Sequence, residues 1–311
     1  MDPRPERVAM TLAVVVPTYR RQASVNALLA SLFAGVRRPD QVIVVDNDPL
    51  ASCMPEWPGE WQIEIVRAGM GLNIAAARNR GWRAAQADLC VFVDDDNTVA
   101  SETLAALEHA ACDITIGLVA PVIYEAANPS RIWCAGIRRS SWTTRTTFLH
   151  RGASRPPAEA LWPTDDMPDA FAVPRQVLMR IGGFDEVRFP FHYEEADLCM
   201  RIRLSGLKAV VVGKATAWHN SNVNSSLGLE LSRAFELSGR HRVELMVRAR
   251  VAFHRLYSTS PQRLVSLGAF IPVYTLIAIV TSIRIPKPLH FRVEVIRAIV
   301  SGFVKGYREP L

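Results

Sequence analysis

Leu89-Cys90-Val91-Phe92-Val93-Asp94-Asp95-Asp96-Asn97 is an apolar run that stops in three consecutive aspartates. The run has the length and composition of a buried strand. Three like charges side by side raise one another's pKa, so this strand end is costly unless a cation is near. Carboxylates at i and i+2 of an extended segment point the same way, which lets Asp94 and Asp96 share one ion. Hard oxygen ligands suit Mg2+ or Mn2+, commonly held by one or two carboxylates plus substrate phosphate. A solvated loop or a helix cap is the alternative reading of the same residues.

On the N-terminal side, strand and helix signals alternate. Residues 12–16 form a short β-branched run ended by Pro17. Residues 42–45 form another, closing on Asp46-Asn47-Asp48-Pro49, and residues 63–66 a third. Helical spacing covers 23–33, with Val25, Leu28, Leu29 and Leu32 on one side, and an alanine-rich helix is expected over 73–87. Such alternation predicts a mostly parallel sheet covered by helices. Ligands on these sheets bind at the carboxyl ends of the strands, where Pro17-Thr18-Tyr19, Asp46 and the aspartates all fall.

Residues 127–169 are rich in Arg, Trp, Thr and Pro with little periodicity, which predicts a functional loop or several short strands. Trp133, Trp142, His150 and Trp162 in this region either line a groove for a ligand or belong to the core. Asp169 precedes strand-like residues 170–173. A helix is expected over 196–205, closed by Gly206, then a strand over 209–212 with Trp218-His219 just beyond it.

Glu194, Glu195 and Asp197 form a second carboxylate cluster at that helix start, where acids also simply complement the helix dipole. A general base must come within about 3 Å of the proton it removes; Glu195, in the middle, is the candidate. His219 is either structural or an imidazole partner for Mn2+. Asp46 is a turn residue or an acceptor for a nucleobase N–H. Arg78 lies earliest on a helix face expected to be exposed together with Arg80 and Arg83, and is a candidate partner for a diphosphate.

Taken in order, these segments resemble the family 2 glycosyltransferases of GT-A fold, with a rhamnosyl- or galactofuranosyl-transferase-like cast. The resemblance is carried by Val14-Val15-Val16-Pro17-Thr18-Tyr19-Arg20, Val44-Val45-Asp46-Asn47 and Gly71-Leu72-Asn73 through Ala77-Arg78-Asn79-Arg80-Gly81. It continues in Phe92-Val93-Asp94-Asp95-Asp96, Gly182-Gly183-Phe184-Asp185-Glu186, Tyr193-Glu194-Glu195-Ala196-Asp197-Leu198 through Arg201, and Trp218-His219, covering about residues 11–222.

The resemblance implies a Rossmann-like α/β sheet and an inverting, metal-dependent transfer of a sugar from a nucleotide-diphospho-sugar to a hydroxyl acceptor. It implies a nucleotide-sugar pocket lined by Pro17, Thr18, Tyr19, Arg20, Asp46, Asn47, Asn73, Arg78, Asp94 and Asp95. It further implies a Mn2+ or Mg2+ site at Asp94, Asp96 and His219, and catalytic carboxylates among Glu194, Glu195 and Asp197. The family usually reads Glu-Asp where this chain has Glu194-Glu195, so the choice of base between these two stays open.

The chain divides by charge. After residue 239 there are twelve Lys/Arg against three acids, while the remainder carries 24 against 27. That basic region also contains residues 264–283, twenty in a row without a charge, bounded by Arg263 and Arg284. The length suffices for a membrane span. Residues 240–257 and 291–307 mix arginines with apolar residues, as helices lying on an anionic bilayer do. The expectation is a catalytic domain over 1–230 and a helical, membrane-associating region over 231–311, lying in or dipping into the cytoplasmic leaflet rather than crossing it in a clean single span, with a helical subdomain packed on the catalytic body as the alternative reading. A lipid-linked or cell-surface glycan acceptor follows from that placement.

The first seven residues are polar and no secretory signal is expected. Five cysteines, an odd count without a C-x-x-C pair, argue against a disulfide framework or a zinc site and for a reducing cytosolic face. Although the pI is about 9.3, the positive charge sits among apolar residues rather than interleaved aromatics, which argues against nucleic acid. A nucleotidyltransferase would carry a Gly-rich loop where Pro17-Thr18-Tyr19 stands. A non-catalytic, membrane-anchored nucleotide-sugar-binding protein has no need of intact carboxylates at 94, 96 and 195.

Overall fold

The computed structural model describes residues 10–48, 50, 61–68, 72–157, 159–220 and 227–310. Pro49, Cys53 and Gly71 lie outside the described residues.

Strands β1 (Leu12–Thr18), β2 (Gln41–Asp46), β3 (Ile63–Arg67) and β4 (Leu89–Val93) pair in parallel in the order β3-β2-β1-β4. Leu12 to Val16 and Leu89 to Val93 are fully buried because helices cover the sheet, which is why both read as unbroken apolar runs. Helix α1 (Gln22–Phe33) buries Val25, Leu28, Leu29 and Leu32. Helix α2 (Ile74–Ala84) crosses β1 so closely that a Cβ on Gly81 would stand 2.2 Å from Val15 Cγ1.

Beyond β4 the sheet changes direction. β5 (Asn97–Val99), helix α3 (Thr103–Ala111) and β6 (Ile116–Glu125) follow. Residues 127–169, expected as a loop or short strands, form β7 (Asn128–Cys134), β8 (Ile137–Arg139), β9 (Thr146–Phe148) and β10 (Leu161–Pro163). β11 (Ala170–Pro174) inserts antiparallel between β4 and β6, placing Ala170 opposite Val93. Helices α4 (Arg175–Ile181) and α5 (Glu194–Leu204) lead into β12 (Lys208–His219), parallel to β6.

β12 is longer than the sequence suggested. A register shift between Val212 and Thr216 re-aims the strand and carries pairing on to His219, so His219 lies in the sheet rather than beyond it. There β12 also pairs with β5, setting His219 opposite Asn97. The turn holding the three aspartates is thereby pinned beside His219.

The C-terminal region is helical: α6 (Leu227–Tyr257), α7 (Ser260–Val265), a π-helical turn (Ser266–Phe270), α8 (Ile271–Ile283) and α9 (Leu289–Arg308). Val243 and Val247 of α6 pack with Ala278, Val295 and Ile299, and Gly302 and Gly306 let α9 lie directly on α6. Ala249, Ala252 and Phe253 form a separate cluster with Phe189, Tyr193 and Ala196, fastening α6 to the strand-bearing part. The apolar face of residues 240–257, expected to meet a bilayer, is therefore used inside the protein. The exposed apolar face belongs to α8, where Val273, Leu276, Ile277, Val280 and Ile283 are 42–60% exposed.

Candidate active site

Asp94, Asp95 and Asp96 occupy the turn from β4 into β5, and their side chains diverge. Asp95 is buried, accepting from Thr18 Oγ1 at 2.7 Å and Arg21 Nη1 at 3.0 Å. Burial leaves its carboxyl above the ordinary value despite both partners. Asp95 and Thr18 thus brace the turn. Asp96 meets the same Arg21 Nη1 at 3.0 Å and His219 Nε2 at 3.6 Å. Burial pushes its carboxyl up, but His219 and Arg21 outweigh that and hold it below the usual range.

Asp94 turns the other way, accepting from Arg78 Nη2 at 2.9 Å through Oδ1. The expected trio of Asp94, Asp96 and His219 is not gathered as a trio. Asp169 joins His219 in place of Asp94: its backbone O accepts from Asp94 N, and its Oδ2 lies 3.4 Å from His219 Nδ1. Asp169 has φ +65°, a strained setting for a non-glycine residue. Burial, with repulsion from Asp94 and Asp96, raises its carboxyl to about 7 although His219 opposes the shift. His219 is lowered by burial but raised more strongly by Asp169 and Asp96, ending above its ordinary value.

No three Asp, Glu, His or Cys side chains among the described residues make a ready-made metal shell. Mg2+ and Mn2+ do not require one, since substrate phosphates commonly complete their coordination. Asp96 and His219 offer a carboxylate and an imidazole on one side of the turn. His219 Nδ1 and Asp169 Oδ2 are buried without a hydrogen-bond partner. This donor set fits a divalent cation.

Arg78 departs most from expectation. It is 1% exposed, under Phe171 and Phe184, whose ring centroids lie 5.5 and 5.7 Å from its guanidinium carbon. Nη1 donates to Glu195 Oε1 at 2.7 Å and stands 3.5 Å from Glu194 Oε1. Arg78 therefore ties the two carboxylate clusters together and is not on a solvated face with Arg80 and Arg83. Its buried charge is matched by three carboxylates, the arrangement that makes such burial tolerable.

Glu194 and Glu195 open α5 after His192 and Tyr193, both in the left-handed region at φ +62° and +67°. Burial raises the carboxyl of each glutamate, with Arg78 pulling the other way. Glu194 Oε2 has no hydrogen-bond partner. Asp197 points elsewhere, bonded to Arg201 and to the Tyr257 hydroxyl from α6. Its bonds make it a clasp between α5 and α6.

At the other strand ends, Asp46 is buried with Oδ1 accepting from Asp48 N at 2.9 Å and Oδ2 paired to Arg67 at 2.7 Å. Pro17 lies in β1 opposite Val45, and Asn47 N donates to Thr18 O. Tyr19 is half exposed, with Arg20 over its ring and paired to Asp48 at 3.2 Å. Asn73 caps α2 by accepting from Ala76 N, and its Nδ2 donates to Glu186 O at 3.2 Å. Its partners make it a cap and a tether.

Three residues without an assigned role prove central. Arg21 neutralises two aspartates; its signal was the need of that cluster for a cation, one position past the quoted Arg20. Asn79 bonds Phe184 N and O and Glu186, anchoring the 182–186 loop; Gly183 there faces Asn79 Oδ1 so closely that a Cβ would lie 2.4 Å away. Arg242 reaches in from α6 and covers the Phe191 ring at 3.6 Å.

Residues 13–187 match the model of the family described as Glycosyl transferase family 2. A pre-mycofactocin glycosyltransferase of Mycobacterium tuberculosis is 30% identical over 205 residues, 63% of this chain and 40% of that protein. An uncharacterized glycosyltransferase of Haemophilus influenzae is 33% identical over 86 residues, 28% of this chain and 29% of that protein. The chain spans 40% or less of the length of these curated relatives. The solved structure of GalNAc-T7 with UDP, GalNAc and Mn2+ superposes with a TM-score of 0.66 at 14% identity, covering 98% of this chain and 57% of that one. The mannosyltransferase PcManGT from Pyrobaculum calidifontis, with GDP-Man and Mn2+, gives 0.54 at 16% identity, covering 98% and 89%. These likenesses establish the GT-A fold. Matched over more than half its length by the family model, the chain belongs to the family 2 glycosyltransferases.

Proposed function

We propose that this protein moves a sugar from a nucleotide-diphospho-sugar to a hydroxyl acceptor with inversion, using Glu195 as general base. The observation that carries the reading is the guanidinium of Arg78, which holds Glu195 and Asp94 on adjacent nitrogens. A proton acceptor is thus fixed beside the aspartate turn, as a single displacement requires. Burial raises the Glu195 carboxyl, which makes it a better proton acceptor, while Arg78 opposes that shift and orients it.

Asp96 and His219 would hold Mn2+ or Mg2+, with Asp169 behind His219. When bound, the ion would neutralise the leaving diphosphate as charge develops on it. The Mn2+ in both solved relatives supports this choice of cation. Pro17, Thr18, Tyr19, Arg20, Asp46 and Asn47 form the adjoining strand ends, where the nucleotide would rest.

The acceptor proposal is a lipid-linked or cell-surface glycan reached from the cytoplasmic membrane face. Ser260–Ile283 is apolar and long enough to cross a membrane by length and composition. Its Ile271, Thr275, Ala278 and Ser282 are nevertheless buried along one face of α8. A helix packed against α6 and α9 on one face and apolar on the other suits lying in the bilayer surface.

A screen of nucleotide sugars for Mn2+-dependent hydrolysis tests the reading. Turnover of at least one sugar nucleotide, abolished by chelation, is expected. Tight donor binding with no transfer or hydrolysis under any condition would return the protein to a binding role.

A further inference from the structure

Among the described residues Arg242 has no hydrogen-bonded or ion-paired carboxylate. Other arginines near the carboxylate clusters have partners: Arg21 has Asp95 and Asp96, Arg78 has Asp94 and Glu195, and Arg139 has Asp166. Arg242 makes no hydrogen bond or ion pair among the described residues; its contact is the face of Phe191, 3.6 Å from the ring centroid.

Its position is set by the fold. Phe191 lies three residues before Glu194, and α6 is clamped across this segment by the Phe189, Tyr193 and Phe253 cluster. Arg248 of the same helix donates to Val187 O and Arg188 O, and Arg250 to Thr144 O. Arg242 lies within electrostatic reach of Glu194, Arg21 and His192. Burial presses its pKa down to about 10 against the pull of Glu194, which still leaves it charged at neutral pH.

Two unmet polar groups lie on the same segment. Glu194 Oε2 and the Tyr193 hydroxyl are buried without hydrogen-bond partners. A half-buried guanidinium stacked on Phe191, within electrostatic reach of Glu194 and near the unpartnered Glu194 Oε2 and Tyr193 hydroxyl, suits an oxyanion whose substrate also carries a hydroxyl.

We propose that Arg242 is a phosphate-binding residue of the active site, delivered by the C-terminal helix α6 to a phosphate or diphosphate group of a substrate. The C-terminal helices then complete the site as well as supporting it. That the phosphate belongs to a donor or an acceptor rests on the glycosyltransferase reading; that Arg242 binds phosphate does not.

The test uses the full chain and two probes: pyrophosphate with Mg2+ for the donor side, and farnesyl phosphate in neutral detergent for the acceptor side. Arg242→Met keeps the stem on Phe191 and removes the donors. It is expected to weaken one probe by about tenfold or more, as loss of a charge-assisted pair does, with Arg242→Lys restoring part of the affinity. Loss confined to pyrophosphate supports Arg242 through the donor, and loss confined to farnesyl phosphate supports it through the acceptor. Unchanged affinities in Arg242→Met, or a wild-type protein that binds neither probe, overturn the inference. Should Arg242→Met not fold, Arg242→Lys gives the same readout, several-fold weaker binding being expected from loss of the planar fork. Hydrolysis of nucleotide sugars by the wild type is scored separately. Hydrolysis with unaltered probe affinities removes Arg242 alone, whereas probe loss without hydrolysis of any sugar nucleotide removes the transferase reading alone.

Discussion

Arg78 and Glu195, 117 positions apart in the chain, are joined by a 2.7 Å hydrogen bond beneath the aspartate turn. The same guanidinium reaches Asp94 at 2.9 Å, so one buried cation sets the spacing between the two acidic clusters. Replacing it leaves several buried carboxylates without a partner. Arg78→Ala is expected to destabilise the fold by about 3–5 kcal/mol and to abolish turnover. Arg78→Lys, with one point charge for two partners, should recover stability more than activity. Thermal melts set beside a turnover assay check both.

Glu195→Gln should bind the donor as the wild type does and lose about 10²–10⁴-fold in transfer rate. Glu194→Gln should cost far less in rate, since Glu194 lacks the close bond to Arg78. The opposite ranking would make Glu194 the base. Because burial raises the Glu195 carboxyl and the base must be ionised, the acid limb of kcat/KM should lie above the ordinary glutamate value of about 4.3.

Asp96→Ala and His219→Ala should each weaken Mn2+-dependent donor binding, while Asp95→Ala should chiefly lower the melting temperature, because Asp95 braces Thr18 and Arg21. Calorimetric titration of Mn2+ with a nucleoside diphosphate separates these outcomes. Equal metal affinity in His219→Ala would remove the imidazole from the shell.

Asp169, raised to about 7, favours its neutral form in the metal-free fold. Its contribution to stability is full below the unfolded aspartate value of about 3.9 and is lost as pH rises through about 7. Asp169→Asn removes that loss. The melting temperature of the variant minus that of the wild type, without metal, should grow more positive from pH 5 to pH 8. A flat difference would show that the carboxyl is not raised.

Leu276 and Ile277 stand on the open face of α8, 60% and 52% exposed. The double substitution to Glu should leave the stability within about 1 kcal/mol of wild type and shift the protein from vesicle-bound to free in a flotation assay with anionic lipid. Flotation unchanged by the substitution would move membrane attachment, if any, to another surface.

What could be read without coordinates was whatever a short window of residues decides. The apolar runs at 12–16, 42–45 and 89–93, the helix over 23–33, and the end of α5 near Gly206 follow from local periodicity and turn chemistry. So does the gathering of Pro17, Asp46 and Asp94–Asp96 at one sheet edge, because parallel strands share their carboxyl ends. The relation of the C-terminal arginines to the apolar run was likewise plain as composition.

Partner choice was not legible in that way. An arginine on a helix looks solvated until Phe171 and Phe184 are known to roof it, and Arg78 meets its carboxylates only because α2, β4 and α5 converge. His219 reached Asp96 through a strand irregularity that carried β12 past its apparent end, and Asp94 surrendered its place beside the imidazole to Asp169. The face of α6 that reads as lipid-facing was claimed by α9 and by Phe189 and Tyr193, leaving α8 exposed instead. Short-range pattern specifies which side chains seek burial or a counter-charge; only packing across long sequence separations decides which neighbour satisfies them, since that choice depends on desolvation shared by elements distant in the chain.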